Sequence, residues 1–253
     1  MDVELLRKYN VPGPRYTSYP TVPCWSRTPS TDEWRQHVRG ALSASNRTDG
    51  ISLFFVNPGE EGVTGREYPT YDGMRAAEIG FENVQISSDS LIGVAGNGLP
   101  ILELIVDRAM AALCAEAVGA MEALNDATLE YLKTRQQFGV PIGRFQALQH
   151  RMVDMLMHAE QARSMAMLAA VKVDDPDPVE RRRCVAAAKE LIGRAGRFVG
   201  QQAIQLHGGM GMTDELAVGH YVKRLTAIDT MFGDADHQLE RFATAAEQPA
   251  EPI

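Results

Sequence analysis

Two short stretches carry the residue types best suited to holding a charged ligand: Thr134-Arg135-Gln136-Gln137-Phe138-Gly139 and Gln205-Leu206-His207-Gly208-Gly209-Met210-Gly211-Met212. An arginine offers a planar fork of donors that matches an anionic group bidentately, so Arg135 is the first candidate for such a contact. A glycine pair lets a ligand approach the backbone closely, and Gln205 beside it can donate or accept a hydrogen bond. Each also has an ordinary reading: Arg135 as a helix C-terminal cation, Phe138 as core, Gly208-Gly209 as helix punctuation. His207 has no carboxylate or cysteine partner at ligand spacing and reads as a hydrogen-bonded structural residue. His237, flanked by Asp234 and Asp236, is compatible with a solvated helix face.

The elements that must position these residues are helices. After Gly98-Leu99-Pro100 four long segments follow, at about 100–134, 144–173, 177–206 and 214–245. Turn chemistry separates them: Gly139-Val140-Pro141-Ile142-Gly143, then Asp174-Asp175-Pro176-Asp177-Pro178, then Gly208-Gly209 with Gly211. Apolar spacing is helical, with Leu148, Met152, Met155, Leu156 and Met165 on one stripe. Ala-rich runs at Ala109–Ala123 and Val185–Ala188 allow close helix approach, so an up-down-up-down four-helix bundle is expected. Ahead of it, Ile51–Val56, Arg66–Thr70 and Ala77–Ile86 read as short strands, with Tyr71-Asp72-Gly73 as a turn. Thr31 as N-cap, with Asp32 and Glu33 in the first turn, predicts one helix over Thr31–Ser43.

Composition limits the function. The 253 residues are 45% hydrophobic and 23% charged, with formal net charge -8, which suits a globular protein and gives nucleic acid no basic surface. Arg181-Arg182-Arg183 reads as a solvated helix face. Cys24, Cys114 and Cys184 form no CxxC or CxxxCxxC spacing, so no zinc site, iron–sulfur cluster or disulfide framework is expected. No apolar run is long enough to span a bilayer and no signal-peptide core is present, so a cytoplasmic location is the default.

With Ala115–Met121, Arg144–His150 and Phe232–His237 added to the two opening stretches, residues 50–243 resemble the C-terminal half of acyl-CoA dehydrogenases. Within that family they are most similar to the pimeloyl-CoA dehydrogenase small-subunit type. The resemblance implies FAD as cofactor and an anionic acyl-CoA substrate, for which one local Arg or Lys cluster suffices. It further implies an electron-transfer acceptor, and a homo- or hetero-oligomer in which one subunit touches its neighbour's flavin. The implied cofactor contacts are Arg135, Gln137, Phe138, Gln146, Gln205, Gly208 and Gly209. The implied fold is mainly α: a four-helix up-down bundle of acyl-CoA dehydrogenase C-terminal type, after a small partial β domain and an irregular leader. The corresponding ranges are 1–49, 50–96, 97–246 and a tail at 247–253.

The resemblance also locates a departure. The family's usual base, a glutamate in a Glu-Gly-Thr stretch, aligns with Phe232, before Gly233-Asp234; the alternative base position falls near Ala109. Asp234, Asp236 and Glu116 are the neighbouring acids that can substitute. Burial of Glu116 on its Ala-rich face would raise its pKa toward that of a working base, whereas an arginine partner would make it structural. A non-catalytic partner subunit is the other option. Nothing in the chain resembles the family's N-terminal all-α domain. Instead Glu4–Tyr9 and Gly13–Thr21 are similar to the N-terminus of oxygen-independent coproporphyrinogen III oxidase. The absence of cluster cysteines excludes that radical chemistry, and a recombined reading frame is a further alternative.

Overall fold

The structure, a computed structural model, describes the backbone of residues 39–43 and 51–247 and the side chains of residues 51–245. The leader that resembles the oxidase lies outside the described residues, except for its last strand. The chain divides into two compact units, one comprising residues 1–70 and 74–105, the other 71–73 and 106–253.

In the first unit, Arg39–Ser43 (β1), Ile51–Phe55 (β2) and Leu91–Ile92 (β5) form an antiparallel sheet in the order β1-β2-β5. Val63–Pro69 (β3) and Arg75–Phe81 (β4) form a hairpin in which Arg66 stands opposite Glu78. The helix expected over Thr31–Ser43 is not continued at its C-terminal end: Arg39–Ser43 is a strand, paired residue by residue with Phe55–Ile51, and Thr31–Val38 lies outside the described residues. Cross-strand pairing has overridden the local signal. The strand expected to reach Ile86 ends at Phe81, because Asn83 takes a left-handed φ of 54° that the ladder cannot carry.

The helices make up most of the second unit, the first of them starting at residues counted in the first unit. Leu99–Thr134 (α1), Gln146–Lys172 (α2), Pro178–His207 (α3), Ala217–Thr230 (α4) and Ala235–Glu247 (α5) follow in order. α3 starts where the turn chemistry places it: the Asp177 side chain accepts from Val179 N–H at 2.8 Å, with Pro178 in the first turn. The core is rich in alanine. Met110, Ala117 and Met121 of α1 pack with Met155, Ala162 and Ala169 of α2 and with Ala188, Ile192, Ala195, Val199 and Ala203 of α3.

Small residues let α3 lie in the middle, against α2, α4 and α5. A Cβ on Gly193 would overlap Asp229, one on Gly196 would press on Leu225, and one on Gly200 on Val222. Leu156, expected on the buried stripe, is instead 53% exposed, since it follows Met155 by one residue and turns about 100° away from it. The fourth segment is interrupted. Phe232 (φ 59°) and Gly233 (φ 95°) end the run between α4 and α5, and Asp234 restarts it by accepting from His237 N–H at 3.0 Å.

Candidate functional site

The helical unit presents two contrasting places for chemistry. The first is at the end of α1. Thr134 closes the helix, and the chain turns through a miniature hairpin, Gln136–Gln137 (β6) paired with Val140–Pro141 (β7). The turn residues Phe138 and Gly139 both have positive φ, 56° and 78°, the backbone a tight two-residue hairpin requires. Glycine adopts it freely; phenylalanine does so at a cost, and such outliers concentrate at binding sites. Phe138 is 89% exposed, so core packing does not explain it. Its ring meets only the edge of Phe145, at a centroid distance of 6.0 Å. Arg135 is exposed with no ion-pair or side-chain hydrogen-bond partner among the described residues, while its carbonyl accepts from Ile142 N–H at 2.8 Å. Gln137 and, one short 3-10 turn later, Gln146 are exposed too.

The glycine-rich stretch separates into different jobs. Gly208 ends α3 at φ 60°, where its N–H caps the carbonyl of Gln205. At Gly211 a Cβ would lie 2.8 Å from the Ile204 carbonyl, so glycine there is a packing necessity. Gly209 has neither constraint: its φ is ordinary and an added Cβ meets nothing within 4 Å. Its bare backbone faces open space beside exposed Gln205. His207 is buried, with Nδ1 2.8 Å from the Ala203 carbonyl and its ring 4.5 Å from that of Tyr131. It is structural, in keeping with the sequence reading.

The second place is the loop between α4 and α5. Phe232, the residue that the resemblance sets against the family's usual base, is half-buried. The backbone around it is braced from inside by polar groups that the sequence reading missed. Gln238, with no exposure, donates from Nε2 to the Phe232 carbonyl at 2.6 Å. Lys189, equally buried, donates to the carbonyls of Asp229 at 2.9 Å and Gly233 at 3.3 Å. Burial pushes the Lys189 ammonium below its ordinary pKa. Behind them Arg241 joins Gln238 to Asp107, which also pairs with Arg181 at 3.0 Å.

The candidate acids differ in their freedom. Glu116 is held by both carboxylate oxygens on Arg224, at 2.6 and 2.8 Å, and Arg224 also binds Asp72 at 2.8 Å. Of the two alternatives left open for Glu116, the arginine partner is the one present. Asp234 is exposed and caps α5 through Oδ1; Oδ2 has no partner among the described residues. Asp236 is exposed in the first turn of α5. No group of metal-ligating side chains occurs among the described residues, and no helix among them is long and apolar enough to cross a membrane.

Comparison with known proteins gives one consistent picture. Residues 96–246 match the family described as the acyl-CoA dehydrogenase C-terminal domain. The chain is 30% identical over 221 residues to the probable acyl-CoA dehydrogenase FadE25 of Mycobacterium tuberculosis, an alignment covering 86% of this chain and 56% of that protein. Among solved structures, butyryl-CoA dehydrogenase from Megasphaera elsdenii superposes with a TM-score of 0.75 at 26% identity, covering 83% of this chain and 55% of that one. The ChsE4–ChsE5 complex from Mycobacterium tuberculosis superposes at 0.69 and 26% identity, over 79% and 54%. The chain thus spans about half the length of the curated relatives it matches.

Proposed function

The chain belongs to the acyl-CoA dehydrogenase C-terminal domain family, and from that premise we propose that it supplies the flavin-contacting helical domain of an FAD-dependent dehydrogenase converting acyl-CoA to 2,3-enoyl-CoA. The observation that carries this reading is the unsatisfied end of α1: an unpaired Arg135 beside a Phe138 held exposed at positive φ. Such a surface fits a ligand that is anionic in one part and flat and apolar in another. Arg135 is the contact to the pyrophosphate of FAD, and Phe138 packs on the flavin of a neighbouring subunit. Gln137, Gln146 and Gln205 give polar contacts toward the adenosine portion, while Gly208 and Gly209 let the backbone approach it. FAD when bound accepts the hydride from the substrate β-carbon.

The proton on the α-carbon needs a base, and here this chain's own residues say more about what they do not supply. Phe232 has no proton acceptor, and Glu116 is committed to Arg224. Lys189 and Gln238 fix the loop carbonyls, so the loop holds its shape without a carboxylate. In our reading the base comes from a different chain of a hetero-oligomer, within the pimeloyl-CoA dehydrogenase small-subunit type. That one superposing structure is a complex of two named proteins supports this arrangement. A second reading rests on Asp234, whose free Oδ2 leaves it able to act within this chain.

The visible spectrum of the purified chain with FAD tests both, followed by anaerobic addition of butyryl-CoA. Bound flavin that keeps its colour supports the base-deficient subunit. Bleaching that Asp234→Asn abolishes supports the second reading. Failure to retain FAD, in a chain that melts cooperatively, removes the flavin assignment itself.

A further inference from the structure

Unpaired cations are unevenly placed in this acidic chain. From Val106 onward every described lysine and arginine side chain has an ion-pair or hydrogen-bond partner except Lys133, Arg135 and Arg144. All three lie at one end of the helical unit, and the flavin reading uses only Arg135. Lys133 and Arg144 border a cleft of about 560 Å³ between the end of α1, the turn after β7 and the start of α2. That volume lies within the range typical of small-molecule sites, roughly 300–1,000 Å³.

The rest of the lining is apolar or already satisfied. Leu129 and Leu132 come from α1, Pro141 from β7 and Met152 from α2. Leu129 is 42% exposed, so part of this lining is open to solvent. Gln149 spends its amide on the Gly143 carbonyl at 2.8 Å. That bond holds the turn that carries Arg144, and Gly143 lies so close to the Leu132 carbonyl that an added Cβ would sit 2.9 Å from it. No acidic side chain lines the cleft.

We propose that this cleft binds an organic anion with an unbranched apolar body, its carboxylate held between Lys133 and Arg144 and its body on Leu129, Pro141 and Met152. The site is separate from the proposed flavin contacts, none of which lines it. Two cations over an apolar floor reward a ligand that has both parts and discriminate against one that has either alone.

Decanoate is the probe, titrated into the full chain by calorimetry below its micelle concentration. One saturable site is expected, weakened at least tenfold by the double variant Lys133→Ser/Arg144→Ser. Both side chains are exposed and unpaired, so the variant should melt with wild type, which the same samples report. Decanol and acetate, each with half of the chemistry, should bind at least tenfold more weakly than decanoate. Arg135→Ala should leave decanoate binding unchanged while impairing FAD retention, which separates this site from the flavin reading. Absence of saturable binding, equal affinity for the double variant, or equal affinity for decanol overturns the proposal.

Discussion

The end of α1 and the loop between α4 and α5 are built on opposite principles, although both carry positive-φ aromatic residues. At the first, Phe138 and Arg135 are exposed, and among the described residues no hydrogen bond or ion pair of their side chains offsets the strain of the turn. At the second, Phe232 is packed against the core and its carbonyl is taken by Gln238 at 2.6 Å. Strain that the chain itself compensates is structural; strain left uncompensated at a surface points to a ligand outside the chain. The loop after α4 is braced from within by buried side chains, while the end of α1 keeps spare bonding capacity.

The largest effect should come from the buried side of this contrast. Asp107, with no exposure, serves both Arg181 and Arg241. Asp107→Ala leaves a buried guanidinium without its anion and should cost about 3–5 kcal/mol in urea unfolding. A loss below about 1 kcal/mol would show that the loop is not braced from behind as described.

Next, the glycines divide the two roles sharply. Gly211→Ala must push against the Ile204 carbonyl and should cost about 1–3 kcal/mol. Gly209→Ala should alter stability by less than about 0.5 kcal/mol, yet weaken FAD retention by crowding the approach. Equal stability losses would erase the distinction drawn between them.

A smaller effect is expected at Phe138. Phe138→Ala should melt with the parent protein while FAD affinity falls about tenfold, equivalent to about 1.4 kcal/mol. A changed melting temperature with unchanged affinity would turn the hairpin into a structural element.

The finest test is pH. Burial holds Lys189 below its ordinary 10.5, so the folded chain gives up this proton at lower pH than the unfolded chain does. Between those two values the unfolded state binds more protons, and the stability from this group therefore rises with pH. Wild type should gain on Lys189→Met as pH is raised from neutral toward 10.5, by less than about 1.4 kcal/mol per pH unit. A gap that narrows instead would mean that Lys189 is not desolvated.

The sequence disclosed the elements whose signals are local. Asp174–Pro178 announced the start of α3, and Gly139–Gly143 the break after α1, because turn and cap chemistry act over a few residues. The interruption at Phe232–Asp234 had a local signal also, a glycine followed by a capping aspartate, but apolar spacing running through it hid the break. Arg39–Ser43 escaped because its strand depends on partners at Ile51–Phe55. The arginine partner that the sequence allowed for Glu116 could not be identified from it, because Arg224 lies 108 residues along the chain and only the fold brings the two together. The exposed Phe138 was visible as a residue but not as a strained turn, since strain resides in the backbone.

The glycines of α3 at 193, 196 and 200 have a consequence for how that helix forms. Each lowers the helix-forming tendency of its segment by about 1 kcal/mol relative to alanine, so the middle helix is a poor helix alone. What it gains is closer contact with Leu225 and Val222, which an added Cβ would press at 3.2 and 3.3 Å. Helix formation in this segment should therefore depend on its packing against α4. An isolated peptide of residues 178–207 should remain mostly unhelical in water, although it becomes the most enclosed helix of the bundle.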